Sequence, residues 1–331
     1  MAEVSLKNLC KSFGQQVALD NVTMTVPDGS FVVLLGPTGA GKTTTLRLIS
    51  GLDKPDSGQI LIDGVDVASL SPAQRDVAMV FQQYSLYPHL SVRDNLAFPL
   101  KSPVLRTPPD EITRKVDEVA AVLQISHKLD NKATELSGGE MQRVSIGRAL
   151  VRDPQIYLMD EPLSSLDAKL RSDLRIELKR IQASLGATLL YVTHDQIEAM
   201  TMATHVGVLD QGKLVQFGTP RQVYEDPVSI YVASRLGSPK INILPADLFP
   251  DAPAGAVNIG LRPEHILIGA GVQATVVRVE HLGDQTRLHL DISGTPLITL
   301  TEAHTTLTKG DSIAITPENP LYFNTSGDRL K

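Results

Sequence analysis

The segment GPTGAGKT, residues 36–43, constrains this 331-residue chain more than any other. It follows the apolar run 32–35 and precedes the apolar helical stretch 46–49, the strand–loop–helix setting of a phosphate-binding loop. Glycines there let successive backbone N–H groups curl round the β- and γ-phosphates of a nucleotide. Lys42 neutralises phosphate charge, and the Thr43 hydroxyl is placed to ligate Mg²⁺. Such a loop requires an α/β architecture in which the ligand lies beyond the carboxyl ends of the strands.

Two further runs, 156–159 and 188–192, are almost continuously apolar, as strands buried on both faces are. The first ends in Asp160-Glu161, two carboxylates at the mouth of a buried strand. Asp160 directly closes the apolar run and is assigned to the Mg²⁺ shell. Glu161 is assigned as the base that polarises a water for in-line attack. Between these runs, Ile112, Val116, Val119, Ala120 and Leu123 recur at helical spacing after the start signal Pro108-Pro109-Asp110, and Leu170, Leu174, Leu178 and Ile181 do the same. Core packing is the expected role of both sets.

Composition excludes several classes. Hydrophobic residues make up 42% and charged residues 21%, which fits a packed globular chain. Lys and Arg number 31 against 37 Asp and Glu, a net charge of -6, so nucleic acid is not expected as the main ligand. The single cysteine, Cys10, has no intrachain disulfide partner, which suits a reducing compartment. No apolar stretch approaches the roughly 18 residues needed to span a bilayer, and the N-terminal decapeptide MAEVSLKNLC has no secretory pattern.

The pattern changes after Gly237. Pro239, Pro245, Pro250 and Pro253 punctuate a linker-like stretch, and the periodicity then drops from 3.6 to 2. Short runs at 257–261, 272–279, 286–292, 297–301 and 312–316 predict a small β-barrel or sandwich. The expected division is therefore 1–236, with a helical part at about 84–152, and 237–331.

The run Leu136-Ser137-Gly138-Gly139-Glu140 carries an N-cap serine with Glu three residues on, ahead of a helical stretch. Its two glycines expose a helix N-terminus, a second anion site in a chain with one phosphate loop. With LSGGEMQR between GPTGAGKT and IYLMDEP, the chain resembles the nucleotide-binding subunits of ATP-binding-cassette (ABC) transporters. Further elements follow in that family's order: Gln82 in VFQQYSLYPHL, the D-loop Ser164-Ser165-Leu166-Asp167, and His194 in YVTHDQIEAM.

The resemblance implies a P-loop NTPase cassette with a helical subdomain, followed by a small all-β oligonucleotide-binding-like regulatory domain. It implies ATP and Mg²⁺ as cofactors, with Ser137, Gly138, Gly139, Glu140 and Asp167 of one copy closing on the ATP of a second in a head-to-tail homodimer. Thr38, Gly39, Ala40, Gly41, Lys42, Thr43 and Thr44 would hold that ATP, with Phe13 and Val17 against its base. Phe13 stands where the family usually has Tyr, so stacking is kept and a hydroxyl is lost. Thr38, Ala40 and the pair Glu140-Met141 also depart from common family choices without removing a catalytic group. Thr43, Gln82 and Asp160 would serve Mg²⁺, while Glu161, His194 and Gln82 would act on the γ-phosphate and attacking water.

In the tail, NIGLRPEH (258–265) and EHLGDQT (280–286) are similar to the regulatory domain of carbohydrate-importer ATPases. That implies an ATPase powering bacterial sugar import from the cytoplasmic face of the inner membrane. Its partners would be two permeases, met through the 82–89 loop, and indirectly an external sugar-binding protein. A cassette ATPase of DNA repair or ribosome binding would instead be expected to show a coiled-coil insertion, a second cassette or a basic surface, and none is visible.

Overall fold

A computed structural model describes residues 2–103, 105 and 107–331. The chain divides into two compact units, Met1–Pro220 and Arg221–Lys331. The first opens with the antiparallel strands β1 (Val4–Phe13) and β2 (Gln16–Val26), followed by β3 (Phe31–Leu35), α1 (Lys42–Ser50), β4 (Ser57–Ile62), β5 (Val65–Asp66) and β6 (Val77–Val80). Helices α2 (Val92–Ala97), α3 (Pro109–Val122) and α4 (Gly138–Leu150) occupy the segment predicted to be helical. Then come β7 (Ile156–Asp160), α5 (Ala168–Leu185), β8 (Thr188–Thr193), α6 (Gln196–Met202), β9 (His205–Asp210) and β10 (Lys213–Gly218).

A six-stranded sheet of order β10-β9-β3-β8-β7-β6 forms the centre of this unit. Strand β3 lies parallel to both β8 and β9, and β7 lies parallel to β6 and β8. Every residue of β3, β7 and β8 is buried, the state their unbroken apolar runs predict. A second sheet, β2-β1-β4-β5, contributes Val4, Leu6 and Leu19 to the core that also takes Leu46 and Ile49 of α1 and Leu158 and Val192 of the central sheet. On α3, Val116 and Ala120 are buried; on α5, Leu174, Leu178 and Ile181 are.

The division falls one residue into α7 (Pro220–Glu225), and α8 (Ile230–Ala233) comes next in the second unit. The strands β11 (Asn242–Pro245), β12 (Asn258–Leu261), β13 (Ile266–His281), β14 (Gln285–Ile292), β15 (Thr295–Glu302), β16 (Ser312–Pro317), β17 (Leu321–Phe323) and β18 (Arg329–Leu330) follow. They form two four-stranded sheets, β11-β12-β17-β18 and β15-β14-β13-β16. The alternation read along 286–292 is realised: Thr286, Leu288, Leu290 and Ile292 are buried, and Arg287, His289 and Asp291 are not.

Contacts place the division at Pro220, ahead of the one expected at 236. The reason is Arg262, only 3% exposed, whose Nη1 donates to the carbonyls of Ala233 (3.2 Å) and Leu236 and whose Nη2 donates to that of Tyr224 (2.8 Å). Its guanidinium also lies over the Tyr224 ring at 3.7 Å. Ala233 joins Ile241, Leu321 and Phe323 in one small core. Replacing Arg262 by Ala strips three carbonyls of a charged donor, and a loss of about 2–4 kcal/mol from the second unit is expected. Denaturant melting of the full chain measures this, with Arg262→Lys recovering part of it.

Candidate nucleotide site

Beyond β3 the chain turns at Gly41, with φ +101°. A Cβ there would stand 2.6 Å from the Ala18 carbonyl oxygen, so both the backbone angle and the lack of space demand glycine. Lys42 then opens α1 with its side chain 6% exposed, and its ammonium donates to the carbonyls of Gly36 (2.9 Å) and Pro37 (3.1 Å). The charge thus stays inside its own loop, 3.5 Å from a Glu161 carboxylate oxygen.

Strand β7 delivers Asp160 and Glu161 to the same place. The Thr43 hydroxyl donates to Asp160 at 2.9 Å, pairing two oxygens beside the loop. Burial pushes the Asp160 carboxyl above the ordinary carboxylate range, opposed by the Thr43 hydrogen bond and reinforced by the charge of Glu161. Glu161 has φ +43°, a left-handed backbone that non-glycine residues seldom adopt. One of its oxygens lies 3.0 Å from His194 Nδ1 at the end of β8.

A cleft of about 290 Å³ joins Phe13, Thr38, Gly39, Gly41, Lys42, Thr43, Thr44, Gln82 and Glu161. Of the other residues expected here, Asp160 and His194 are tied to it through Thr43 and Glu161. Ala40 is buried, and Val17, like Phe13, is an exposed apolar side chain on the first hairpin. Gln16 and Ala18 also line the cleft; their cue was position, since Gln16 pairs with Phe13 across the hairpin. A larger depression of about 720 Å³, including Val122, Arg143, Ile176 and Glu177, carries no phosphate loop.

The remaining candidates lie at helix starts outside the cleft. Ser137 and Glu140 form the expected capping box at α4, and backbone and hydroxyl donation from Ser137 helps hold the Glu140 carboxyl below its usual range. A Cβ on Gly139 would collide with Leu170 of α5, so this glycine also permits close helix packing. Asp167 caps α5 by accepting from Leu170 N at 3.0 Å.

The residues present fit ATP and Mg²⁺. The loop offers backbone donors and an ammonium to phosphate, and Thr43 with Asp160 offers two hard oxygens side by side. Among the described residues no cluster of three His, Cys, Asp or Glu side chains forms a metal cage. Mg²⁺ takes most of its ligands from phosphate and water, so few protein oxygens are needed to hold it.

Comparison with known proteins agrees. The family described as ABC transporter matches residues 19–164, and the TOBE domain matches residues 259–319. The sn-glycerol-3-phosphate import ATP-binding protein UgpC of Ruegeria sp. (strain TM1040) is 44% identical, covering 98% of this chain and 97% of that protein. The protein of the same name from Brucella abortus (strain 2308) is 45% identical over 90% of each. Among solved structures, the dimeric bacterial ABC transporter cassette MJ0796 is 30% identical, with a TM-score of 0.60 over 66% of this chain and 99% of that one. The ADP conformation of the cassette MJ1267 is 28% identical, with a TM-score of 0.60 over 69% and 96%. On this identity and this loop, the chain belongs to the ATP-binding proteins of ABC transporters and is an ATPase that takes ATP and Mg²⁺.

Proposed function

We propose that this ATPase powers import of a sugar or sugar derivative, with polyol phosphates of the sn-glycerol 3-phosphate class first among the candidates. The observation that carries this reading is identity of 44% to a glycerol-phosphate import protein along 98% of the chain. Among the described residues no helix is long and apolar enough to cross a membrane. The likeness to import ATP-binding proteins supports assigning the solute path to two permeases. The chain works as a peripheral homodimer at the cytoplasmic face of the inner membrane, and an external binding protein selects the solute.

In this reading Lys42 and the N–H groups of the 36–43 loop bind the phosphates, while Phe13 and Val17 offer an apolar face to the base. Thr43, Asp160 and Gln82 would hold Mg²⁺, which would supply charge neutralisation on the transferred phosphoryl group. Glu161 would take the proton from the attacking water, and His194, whose Nδ1 lies 3.0 Å from the Glu161 carboxylate, would fix that carboxylate and act on the γ-phosphate. The N-terminus of α4 at Ser137, Gly138, Gly139 and Glu140, together with Asp167, closes on the nucleotide of the second copy. The 82–89 loop meets the permeases; its Tyr87 ring is held by Phe98 at 4.3 Å and by Arg148 at 4.8 Å.

The test is ATPase stimulation of the reconstituted transporter by binding proteins loaded in turn with a panel of sugars and polyol phosphates. Stimulation by a polyol phosphate is expected. Stimulation only by a neutral sugar moves the solute class, and an ATPase that co-purifies with no membrane subunit removes the import reading.

A further inference from the structure

The 164–167 loop runs from Glu161 to α5 and is held by two side chains. Arg171, in the first turn of α5, donates through Nη2 to the carbonyls of Leu166 (2.9 Å) and Ser164 (3.4 Å). Its Nη1 lies 3.6 Å from an Asp195 carboxylate oxygen. Asp195 follows His194 directly, caps α6 by accepting from Ile197 N at 2.7 Å, and donates its own N–H to Thr193 Oγ1 at 3.0 Å. One guanidinium therefore touches both the segment leaving Glu161 and the turn carrying His194. At the same loop, the Tyr84 hydroxyl, two residues after Gln82, lies 3.0 Å from Ser165 Oγ.

We propose that Arg171 is a positioning residue that couples the 164–167 loop to the His194 turn through Asp195. Both partners are partly withdrawn from water, with side-chain exposures of 31% and 21%, so the pair is screened less than a surface ion pair. The carbonyl bonds are directional, and a shift of the loop moves the guanidinium and alters its contact with Asp195. Because the His194 ring holds Glu161, loop position reaches the base by this route. Tyr84 brings the 82–89 loop into the same chain of contacts.

This proposal rests on Glu161 and His194 acting on the nucleotide. Its test is a double-mutant cycle on the full chain, using Arg171→Ala, Asp195→Asn and both together. Asparagine keeps the acceptor that caps α6 and removes only the charge. Each single change is expected to lower kcat by about three- to tenfold without moving the KM for ATP, and the double variant should be no slower than the worse single one. Unaltered kcat in either single variant, additive losses in log kcat, or a loss confined to KM would overturn the coupling. Should Arg171→Ala fail to melt cooperatively, Arg171→Lys, which keeps charge but lacks the two-armed reach, replaces it in the cycle. Glu161→Gln, run in parallel, separates the two claims: near-normal turnover in that variant overturns the catalytic assignment, whereas an additive cycle beside a dead Glu161→Gln overturns the coupling alone.

Discussion

Glu161→Gln is expected to slow ATP hydrolysis by about 10²- to 10⁴-fold while leaving ATP affinity near that of the unaltered chain. Glutamine has nearly the same shape and keeps an oxygen for His194, 3.0 Å away, but it is no longer a base. The phosphate cradle is untouched, because Lys42 is held by the Gly36 and Pro37 carbonyls rather than by Glu161 alone. Phosphate release and nucleotide titration measure the two halves of the claim. With turnover blocked, ATP-loaded protein should accumulate as a dimer at high concentration. Near-normal hydrolysis would move the base elsewhere, and an ATP-bound monomer would remove the shared site.

Asp160→Asn should abolish Mg²⁺-dependent hydrolysis, by about 10²-fold or more, and at the same time make the nucleotide-free chain more stable. Asp160 is only 6% exposed, and burial raises its pKa above the unfolded value. The folded chain then binds the proton more tightly, so stability falls as pH rises from the unfolded pKa through the folded one, and the cost is fully present at neutral pH. Asparagine removes that cost and can still accept a hydrogen bond from the Thr43 hydroxyl, so a higher Tm than that of the unaltered chain is expected at pH 7. Calorimetry should show the gain shrinking as pH falls toward 4. A lower Tm at neutral pH would mean that the carboxylate is better solvated than its burial indicates.

The sequence carried the strands β3, β7 and β8 plainly, because burial on both faces leaves no room for polar residues and an unbroken apolar run has few other uses. The phosphate loop was legible for a related reason: Gly41 and Lys42 are each tied to one local geometry. Other features depend on contacts between distant positions. Tyr84 meets Ser165 across 81 positions, and no periodicity marks either residue. The run read at 272–279 is part of a longer strand: β13 starts at Ile266 and passes through Gly269 and Gly271 as a 16-residue strand whose pairing with β16 shifts between Ile268 and Val272. The prolines from 239 onward are a real change of texture, but a single buried Arg262 draws the preceding segment into the second unit, and nothing around Tyr224 or Leu236 announces its partner.

That clamp has a practical consequence for anyone recombining proteins of this family. A graft made at the proline-rich stretch would sever the carbonyls of Tyr224, Ala233 and Leu236 from the guanidinium that serves them, leaving a donor tail with a buried cation and a recipient with a loose, apolar trailing end. The transferable piece is Arg221–Lys331 as a whole, and the seam that breaks no charged hydrogen bond of the clamp falls just after Pro220.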